Sequence, residues 1–431
     1  MKKSLCFLIL AIVICTNVKC ADDAIYEPES QARDSVKEMM GGKLTHEVTQ
    51  AEARENLEKL LLEMKNPSTR GGDAMQLPPI TSVYTRGKAA LATRAGEVGP
   101  YFHIFNFGDN EGFAIMSGDD RVEPLLALTF KGELTPETEI DNPGFELAYS
   151  KMEEYYIARI GADTIPSIGF DDPILPRDTI NLEIPVRCTE EDTLIYHNMD
   201  YGYCPVKWGQ DSPYNKYCYT EDNKIAKTGC AATAVAQLMC IYSYPNSYNG
   251  YTFDWAEMRN SSPNETGTDQ IARLMQQLGL SNNLDMEYGV NSSGAFPSRV
   301  SSTLRNFGYA NGGHAEAYDS SQIINELMLG CPVLLYGYDG DGGHIWLGHG
   351  LIEHRNNVKW YNEVDEVVIT QSLFQGYYIL YNWGWDGNHD GYFLSGIFDA
   401  YSEPAYPDPT RSIDDHNYQY NVHAIVNIRK N

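Results

Sequence analysis

Hydrophobic and polar positions in the N-terminal third of the chain follow two different periods. Apolar residues repeat at helical spacing after the capping-box pair Thr49 and Glu52, and again over 145–160. Between these two predicted helices, 101–117 contains two apolar runs around a Gly-Asp-Asn-Glu turn, which predicts a β-hairpin, and 122–130 predicts a further strand. The pattern therefore indicates a small α+β block.

Two stretches of the same region have little periodicity. Residues 68–95 are rich in Gly, Pro, Ser and Arg, which predicts a loop. Residues 162–188 carry several prolines among acidic residues, which predicts a linker of the kind where proteolytic nicking concentrates. The α+β block would then cover 21–161, and a second domain would cover 189–431.

The pattern of this second domain changes from helical to strand-like along the chain. A buried helix is predicted to begin at Cys230 and to end before Pro245, and another helix is predicted over 269–278. Short apolar runs predict strands at 332–338, 344–352, 377–382, 392–395 and 422–428. The domain should therefore have a helical half followed by a strand-rich half.

The N-terminus has the pattern of a secretory signal peptide over 1–20. Lysines precede an uncharged apolar run at 6–15, which is too short to span a bilayer, and no other run approaches that length. Cleavage after Cys20 is one prediction. Lipidation of Cys20 is the alternative, because the acidic stretch that follows resembles the signal of surface lipoproteins in some gut bacteria, although Lys19 departs from the lipoprotein box. Either way, we expect a secreted or cell-surface protein without a membrane span.

Composition narrows the choice of partners. The chain has 431 residues, which allows two or three domains, and a formal net charge of −27. Such a charge argues against nucleic acid and anionic membrane surfaces as partners, but it does not select a substrate.

The cysteines show no metal-binding pattern. Nine are present, without a CxxC pair or a His/Cys spacing typical of zinc, so we predict no metal and no cofactor. Cys204 and Cys218 could form a disulfide, which the sequence leaves open. With Cys230 set aside as a reactive thiol, an odd number remains outside the signal region, which argues against a disulfide framework.

Cys230 is the strongest candidate for chemistry. It occupies the first turn of its predicted helix, where unpaired backbone N–H groups and the helix dipole favour a thiolate, the nucleophilic form of cysteine. The alternative is a buried structural cysteine, the usual fate of a free thiol. The helix alone does not decide between them.

Motifs around Cys230 carry a family resemblance. They are Trp-Gly-Gln-Asp-Ser-Pro-Tyr-Asn at 208–215, Gly-Gly-His-Ile-Trp at 342–346, Tyr-Asn-Trp-Gly-Trp at 381–385 and Asp-Gly-Tyr-Phe at 390–393. In this order they resemble the streptopain family of papain-like cysteine peptidases. The resemblance implies a papain-like catalytic domain with a helical lobe and an antiparallel β lobe. The stretch 112–119 resembles the family's propeptide, which implies that the block 21–161 is an intramolecular inhibitor of a zymogen.

The resemblance also implies catalytic roles. His344 would be the general base that takes the thiol proton, Asn382 would orient its imidazole, and Trp383 would shield that hydrogen bond from water. Core packing is the alternative role for Trp383. His349 competes with His344 on the same predicted strand, but the family usually has Asp at its position, and we expect His349 to be structural.

Oxyanion stabilisation needs hydrogen-bond donors near the nucleophile. The backbone N–H of Cys230 is one candidate, and the Gln210 side chain is another by analogy with papain-like enzymes. Gln210 could equally bond backbone near Asn215.

The segment 285–294 resembles the family's substrate groove. Its members Val290, Asn291, Ser292 and Ser293 are therefore predicted to contact an extended peptide. The stretch 406–418 contains Pro and Asp where the family has a Gly-rich loop, which puts any inherited substrate preference in doubt.

Three functions fit these observations. The first is a secreted cysteine endopeptidase, made as a latent zymogen, that cleaves protein or peptide substrates through a Cys-His-Asn mechanism and a thioester acyl-enzyme. The second is a papain-fold acyltransferase of the transglutaminase type, which typically has Asp in place of Asn382. The third is a catalytically inactive binding module, which loss of Cys, His or Asn would have signalled. We favour the endopeptidase.

Overall fold

Secondary structure in the computed structural model follows much of the predicted pattern. The structure describes residues 46–64, 79–86, 102–161, 187–197, 204, 206–338, 343–361, 367–399 and 422–430. The predictions on the signal segment, on lipidation of Cys20 and on 406–418 lie outside the described residues. From Glu47 to Asn431 the chain forms one compact unit.

Local capping signals place the two helices of the N-terminal block. Helix α1 (Gln50–Met64) begins at the predicted capping box, in which the backbone N–H of Thr49 donates to Glu52 Oε2 at 2.7 Å and the backbone N–H of Glu52 donates to Thr49 Oγ1 at 3.3 Å. Helix α2 (Pro143–Gly161) covers the second predicted helix. Both predicted helices are confirmed.

The helices of the second domain surround the one that begins at Cys230. That helix, α3 (Cys230–Tyr242), is buried along almost all its length and ends at Ser243, whose φ of 48° is left-handed, two residues before Pro245. The further helices are α4 (Trp255–Met258), α5 (Glu265–Leu278), α6 (Val300–Asn306) and α7 (Ser320–Met328). The predicted helix over 269–278 is confirmed as part of α5.

Most strands belong to one large sheet. In chain order they are β1 (Ile80–Arg86), β2 (Phe102–Phe107), β3 (Phe113–Ser117), β4 (Leu125–Thr129), β5 (Arg187–His197), β8 (Asn311–Ala317), β9 (Val333–Tyr338), β10 (Gly343–Tyr361), β11 (Val367–Asn382), β12 (Gly391–Leu394) and β13 (His423–Arg429), while β6 (Ser247–Tyr248) and β7 (Tyr251–Thr252) pair separately. The order across the sheet is β1-β2-β3-β4-β12-β11-β10-β9-β13-β8, with β5 on β10, and every pair is antiparallel.

Two strands of this sheet, β1 and β5, were not predicted from the sequence. The loop predicted over 68–95 is wrong at Ile80–Arg86, because these residues pair with β2 as an edge strand of mixed exposure, whose short polar pattern resembles a loop. Strand β5 begins at Arg187 and so crosses the end of the linker predicted over 162–188. It pairs with the distal half of β10, from Leu351 to Tyr361, which no local signal indicated.

Close approach of β4 and β12 joins the N-terminal block to the second domain. The register pairs Thr129 with Gly391, Leu128 with Tyr392 and Ala127 with Phe393. A Cβ atom on Gly391 would lie 2.1 Å from the carbonyl oxygen of Leu128, so this approach requires glycine. The two regions therefore share one continuous sheet.

Two hydrophobic cores lie on this framework. The first combines α1, α2 and β2–β4 with residues of the strand lobe such as Trp346 and Trp383. The second combines α3, α5 and α6 with residues such as Ile345 and Ile425. The fold is α+β, as predicted. None of the helices in the described part of the chain is long and apolar enough to span a membrane.

Candidate active site

Cys230 is the first residue of α3, as predicted. Gly229 precedes it with a φ of 83°, a conformation that favours glycine. A Cβ atom on Gly229 would lie 2.8 Å from the carbonyl oxygen of Ser293 and 2.9 Å from Met286 Sδ. Glycine therefore lets the predicted substrate segment pack directly against the start of the nucleophile helix.

The environment of the Cys230 thiol differs from the expected thiolate site. Burial raises the pKa of the thiol above its ordinary value, while the backbone N–H groups of Ile345, Ala231 and Cys230 itself lower it less strongly. The expectation that the helix start alone favours a thiolate is wrong for this conformation, because desolvation outweighs the helix N–H groups. Cys230 also packs against the core that contains Ile345, the residue that follows His344.

His344 lies buried near the start of β10. Its Nε2 lies 2.9 Å from the carbonyl oxygen of Trp383, and because a carbonyl only accepts, Nε2 carries the proton. The ring lies nearly parallel to that of Trp346, at 6.2 Å, and edge-on to that of Trp385, at 6.0 Å. The acceptor of Nε2 is thus the backbone of the residue next to Asn382.

The side-chain amide of Asn382 sits in a dense hydrogen-bond network at the end of β11. Its Oδ1 accepts from Gln237 Nε2 at 2.8 Å and from the backbone N–H of Gly384 at 3.0 Å. Its Nδ2 donates to the carbonyl oxygen of Val206 at 2.8 Å. The structure therefore brings Asn382 to the neighbourhood of His344, one residue from the carbonyl that the imidazole uses.

Trp383 packs at the centre of the strand lobe. It is completely buried and lies 5.3 Å from Trp346 and 5.2 Å from Phe393, measured between ring centroids. Its backbone N–H donates to Asp390 Oδ1 at 2.9 Å, and burial raises the pKa of the Asp390 carboxyl to about 7. Core packing of Trp383 is thus observed, and its shielding role stays a prediction.

His349 makes a hydrogen bond with the backbone of Cys204. It is buried, and its Nδ1 accepts the backbone N–H of Cys204 at 3.0 Å. The thiols of Cys204 and Cys218 are both free, so the pairing that the sequence left open is absent.

Gln210 lies buried beside the segment that leads into α3. Its backbone carbonyl oxygen accepts from the backbone N–H of Thr228 at 2.9 Å. Its side-chain Nε2 has no hydrogen-bond acceptor within the described part of the chain. The side chain of Asn215, in the same loop, donates to the carbonyl oxygen of Ala226 at 2.9 Å. A buried, unused donor is what an oxyanion site requires.

The predicted substrate segment divides into an anchor and an exposed tip. Ser293 is buried, and its Oγ donates to the carbonyl oxygen of Lys227 at 2.8 Å and accepts from the backbone N–H of Gly289 at 3.0 Å. Val290, Asn291 and Ser292 are exposed. Ser293 therefore holds the segment next to Cys230, while the other three are available to a peptide.

The N-terminal block reaches this site through the start of α2. Asn142 caps the helix, since its Oδ1 accepts from the backbone N–H groups of Gly144 at 3.1 Å and Phe145 at 3.2 Å. A Cβ atom on Gly144 would lie 2.6 Å from His344 Cδ2 and 2.5 Å from Trp383 Cε3. The helix start therefore lies in contact with the predicted base.

His389 extends the same interface. Its ring stacks on that of Phe145 at 4.5 Å and approaches that of Phe113 at 5.9 Å. Burial lowers the pKa of His389 to about 4. Sequence reasoning gave this residue no role, because its partners lie far away along the chain.

Gln237 is a second residue that sequence reasoning missed. It is a fully buried polar residue in a helix whose other buried residues, apart from Thr233, are apolar, which was the available signal. Its contacts with Asn382 were not predictable from spacing.

Comparison with known proteins supports one family. The model of the Peptidase C10 family matches residues 208–393, and that of the Spi protease inhibitor matches residues 45–156. Together with the relatives below, these matches support the streptopain family. The streptopain of Streptococcus pyogenes is 27% identical over 68% of this chain and 74% of the relative. The thiol protease/hemagglutinin PrtT of Porphyromonas gingivalis is 26% identical over 69% of this chain and 34% of the relative.

Solved structures that resemble this one come from Prevotella intermedia. A prointerpain A fragment is 21% identical, covers 74% of this chain and 93% of its own, and has a TM-score of 0.45. Active interpain A is 23% identical, covers 54% and 98%, and has a TM-score of 0.34.

These comparisons bear on three predictions. The protein is a cysteine peptidase, its catalytic part is papain-like, and an inhibitor-type propeptide domain precedes it. The predicted family, fold class and enzyme class are confirmed.

Proposed function

We propose that the protein is an exported cysteine endopeptidase in which Cys230 is the nucleophile, His344 the general base and Asn382 the residue that orients the imidazole. The observation that carries this proposal is that Cys230 packs against the core that contains Ile345, the residue after His344, and the Ile345 N–H is among the groups that lower the pKa of the thiol. The start of α3 and the start of β10 therefore meet in this core.

The chemistry follows from the donors at this point. His344 takes the thiol proton, and the thiolate attacks the peptide carbonyl carbon. The oxyanion that forms accepts hydrogen bonds from the Cys230 N–H and from Gln210 Nε2, which is buried and unused. The tetrahedral species then loses the amine, which takes the proton from His344, and leaves a thioester on Cys230. Water, deprotonated by His344, hydrolyses the thioester and restores the thiol.

Substrate would enter along the exposed tip of the segment that Ser293 anchors. Val290, Asn291 and Ser292 are exposed and directly precede Ser293, whose carbonyl oxygen approaches Gly229, so they can offer backbone groups to an extended peptide. Because a peptide pairs through its backbone, this arrangement suits protein substrates of varied sequence.

Latency is the second part of the proposal. The N-terminal block lies against the His344 ring through Gly144, and Nε2 is bonded to the Trp383 carbonyl. We propose a signal peptide over 1–20, an inhibitory propeptide over 21–161, a linker over 162–188 and a catalytic domain over 189–431. Cleavage within 162–189 would free the propeptide, since the tether keeps its effective concentration high until it is cut.

Incubation of the purified protein with casein under reducing conditions tests the proposal. We expect casein cleavage and shortening from 48.4 kDa to roughly 27–30 kDa, at about 110 Da per residue, with a new N-terminus within 162–189. Cys230→Ala should stay long and inactive. Cys331→Ala, which removes another partly exposed thiol, is the matched control and should mature normally.

Two results would contradict the proposal. Casein cleavage by Cys230→Ala would exclude Cys230 as the nucleophile. Full activity of an uncut chain would exclude latency.

A further inference from the structure

The backbone carbonyl of Trp383 holds the proposed base. His344 Nε2 carries the proton and bonds to this carbonyl oxygen at 2.9 Å. Because a neutral imidazole carries one proton, the bond leaves Nδ1 as the ring nitrogen that can accept the proton of a thiol. The position of the Trp383 carbonyl therefore fixes both the direction and the tautomer of the His344 ring.

Strand pairing does not fix this carbonyl. The ladder between β10 and β11 ends with the pair of Leu347 and Asn382, and the ladder between β11 and β12 ends with the pair of Tyr381 and Gly391. Trp383 follows the last paired residue of β11. Contacts outside the strand ladders must therefore hold its backbone in place.

Residues 389 and 390 hold Trp383 at two points. The Asp390 carboxyl accepts the backbone N–H of Trp383 at 2.9 Å, and the backbone carbonyl of His389 accepts the indole N–H at 2.9 Å. Asp390 and Trp383 are both buried. The Asn382 side-chain oxygen holds the next peptide unit, through the Gly384 N–H at 3.0 Å. Among these three acceptors, the Asp390 carboxyl is the one that binds the backbone of Trp383 itself.

This contact differs from the backbone contacts of the same segment. The Asp390 carbonyl oxygen accepts from the backbone N–H of Phe130 at 2.9 Å, and the His389 N–H donates to the Lys131 carbonyl at 3.0 Å. These two bonds to the N-terminal block disappear when the block leaves. The bond of the Asp390 carboxyl to Trp383 joins two residues of the proposed catalytic domain, so it can persist in the mature enzyme.

We propose that Asp390 is a positioning residue of the peptidase reaction, whose carboxyl holds the Trp383 backbone so that the Trp383 carbonyl accepts the Nε2–H of His344. The proposal rests on the function proposed above for Cys230 and His344. Without the Asp390 carboxyl, the Trp383 carbonyl is held less firmly, and the imidazole presents Nδ1 to the thiol less often. Misplacement of a catalytic group by about 1 Å can lower a rate by about a hundredfold.

Three variants of the mature enzyme test this role. Asp390→Ala removes the acceptor, and Asp390→Asn keeps an acceptor oxygen of the same reach. Glu353→Ala is the matched control, because Glu353 is another buried carboxylate of the strand lobe and lies nine residues after His344 on β10, about 30 Å along the strand. Each variant is made as the full chain and matured with tagged wild-type enzyme, which is then removed through its tag.

Turnover of a fluorogenic peptide is the first measurement. We expect Asp390→Ala to lower kcat by about ten- to a hundredfold with little change in KM, because the base is misplaced while the substrate segment is untouched. Asp390→Asn should restore kcat to within about threefold of wild type, since its side-chain oxygen can accept the same N–H. Glu353→Ala should leave kcat unchanged.

Alkylation of Cys230 by iodoacetamide is the second measurement, because it reports on the thiol without turnover. Asp390→Ala should slow this reaction by about fivefold or more while His344 is present. In a His344→Ala background the same substitution should slow it by less than about twofold, since the effect of Asp390 passes through the imidazole.

The outcomes separate this inference from the proposed function. Wild-type turnover in His344→Ala would overturn the proposed base, and the inference with it. A slow His344→Ala beside wild-type kcat in Asp390→Ala would overturn the inference alone. An equal slowing of alkylation in both backgrounds would overturn it as well, because it indicates a purely structural role, and so would a failure of Asp390→Asn to restore kcat.

A second substitution covers the case in which Asp390→Ala does not fold. Asp390→Leu fills the space of the carboxyl but accepts no hydrogen bond, and it must show the same loss of kcat. Wild-type kcat in Asp390→Leu overturns the inference.

Discussion

The two halves of the active site rest on different cores. Cys230 begins α3, whose buried side chains belong to the core of the helical lobe. His344 lies between Trp346 and Trp385 on the strand lobe, and Trp346 shares its core with α1, α2 and β2–β4 of the N-terminal block. The N-terminal block thus packs against the lobe that carries the proposed base, and it does not share the core of the lobe that carries the proposed nucleophile.

This difference suggests how the proposed latency would work. A block that shares a sheet and a core with the strand lobe would act on the position and protonation of the proposed base, and the nucleophile helix could stay as it is in the active enzyme. The contacts of Gly144 with His344 and of Phe145 with His389 are the two that would deliver this effect.

The largest expected effect comes from removing the base itself. His344→Ala should lower the turnover of the mature enzyme by roughly a thousandfold or more, because the nucleophile, the base and the residue that orients it act as a unit. His349→Ala should lower it far less, since His349 bonds to the Cys204 backbone. Rates on a fluorogenic peptide measure both. If His349→Ala proved to be the inactive variant, the assignment of the base would be wrong.

Adding one methyl group to Gly144 should break the contact with the base. Gly144→Ala would place a Cβ atom 2.6 Å from His344 Cδ2, and such overpacking costs about 1–3 kcal/mol, or about 5- to 150-fold in the docking equilibrium. We expect the uncut chain to react faster with a thiol-directed epoxide, measured as a mass shift of the full-length species.

Gly108→Ala is the control for this experiment. It adds the same methyl group within the N-terminal block, against Thr81 and away from His344. Equal labelling of Gly144→Ala and wild type would show that the block does not restrain the site through this contact.

The smallest expected effect is a pH dependence of the docking of the N-terminal block on the second domain. The pKa of His389 is lowered by burial to about 4, so the neutral imidazole supports docking fully above its ordinary pKa of 6.5, and this support is lost as the pH falls towards 4. Asp141 raises the pKa of His389 and Lys131 lowers it, both less than burial does. At pH 5.5 we expect docking about tenfold weaker on this account than at pH 7.5.

Size-exclusion chromatography of the cut protein measures that loss. Cys230→Ala, cut by added enzyme, should elute as one species at pH 7.5, and its two fragments should separate increasingly as the pH falls towards 5. This change with pH should be smaller in the double variant that carries Cys230→Ala and His389→Gln. Asp390, whose pKa burial raises to about 7, has the opposite pH dependence, but it is present in both proteins and cancels in the comparison. An identical pH response of the two would exclude His389 as the sensor.

Sequence reasoning succeeded where the signal is local. The capping box of Thr49 and Glu52, the start of α3 at Cys230 and the hairpin of β2 and β3 depend on neighbouring residues, and each was predicted. Most residues of the proposed site also lie in short motifs, and their catalytic roles stay predictions.

What the sequence did not predict depends on distant partners. The pairing of β4 with β12 and of β5 with β10 joins segments with no shared pattern. The pKa of Cys230 follows from burial by the folded lobes, which no helix-start argument includes. A hydrogen bond of the Gln237 side chain is to Asn382, which lies 145 positions later in the chain.

The pairing of β4 with β12 has a consequence for solubility after maturation. Once the N-terminal block leaves, β12 changes from an interior strand to the border of the sheet, and borders invite association with other chains. Strand β12 spans only Gly391–Leu394 and continues directly into the 3₁₀ turn Ser395–Phe398. The exposed border is therefore very short, so the fold can shed β1 to β4 and leave little backbone on which a fibril or an aggregate could grow.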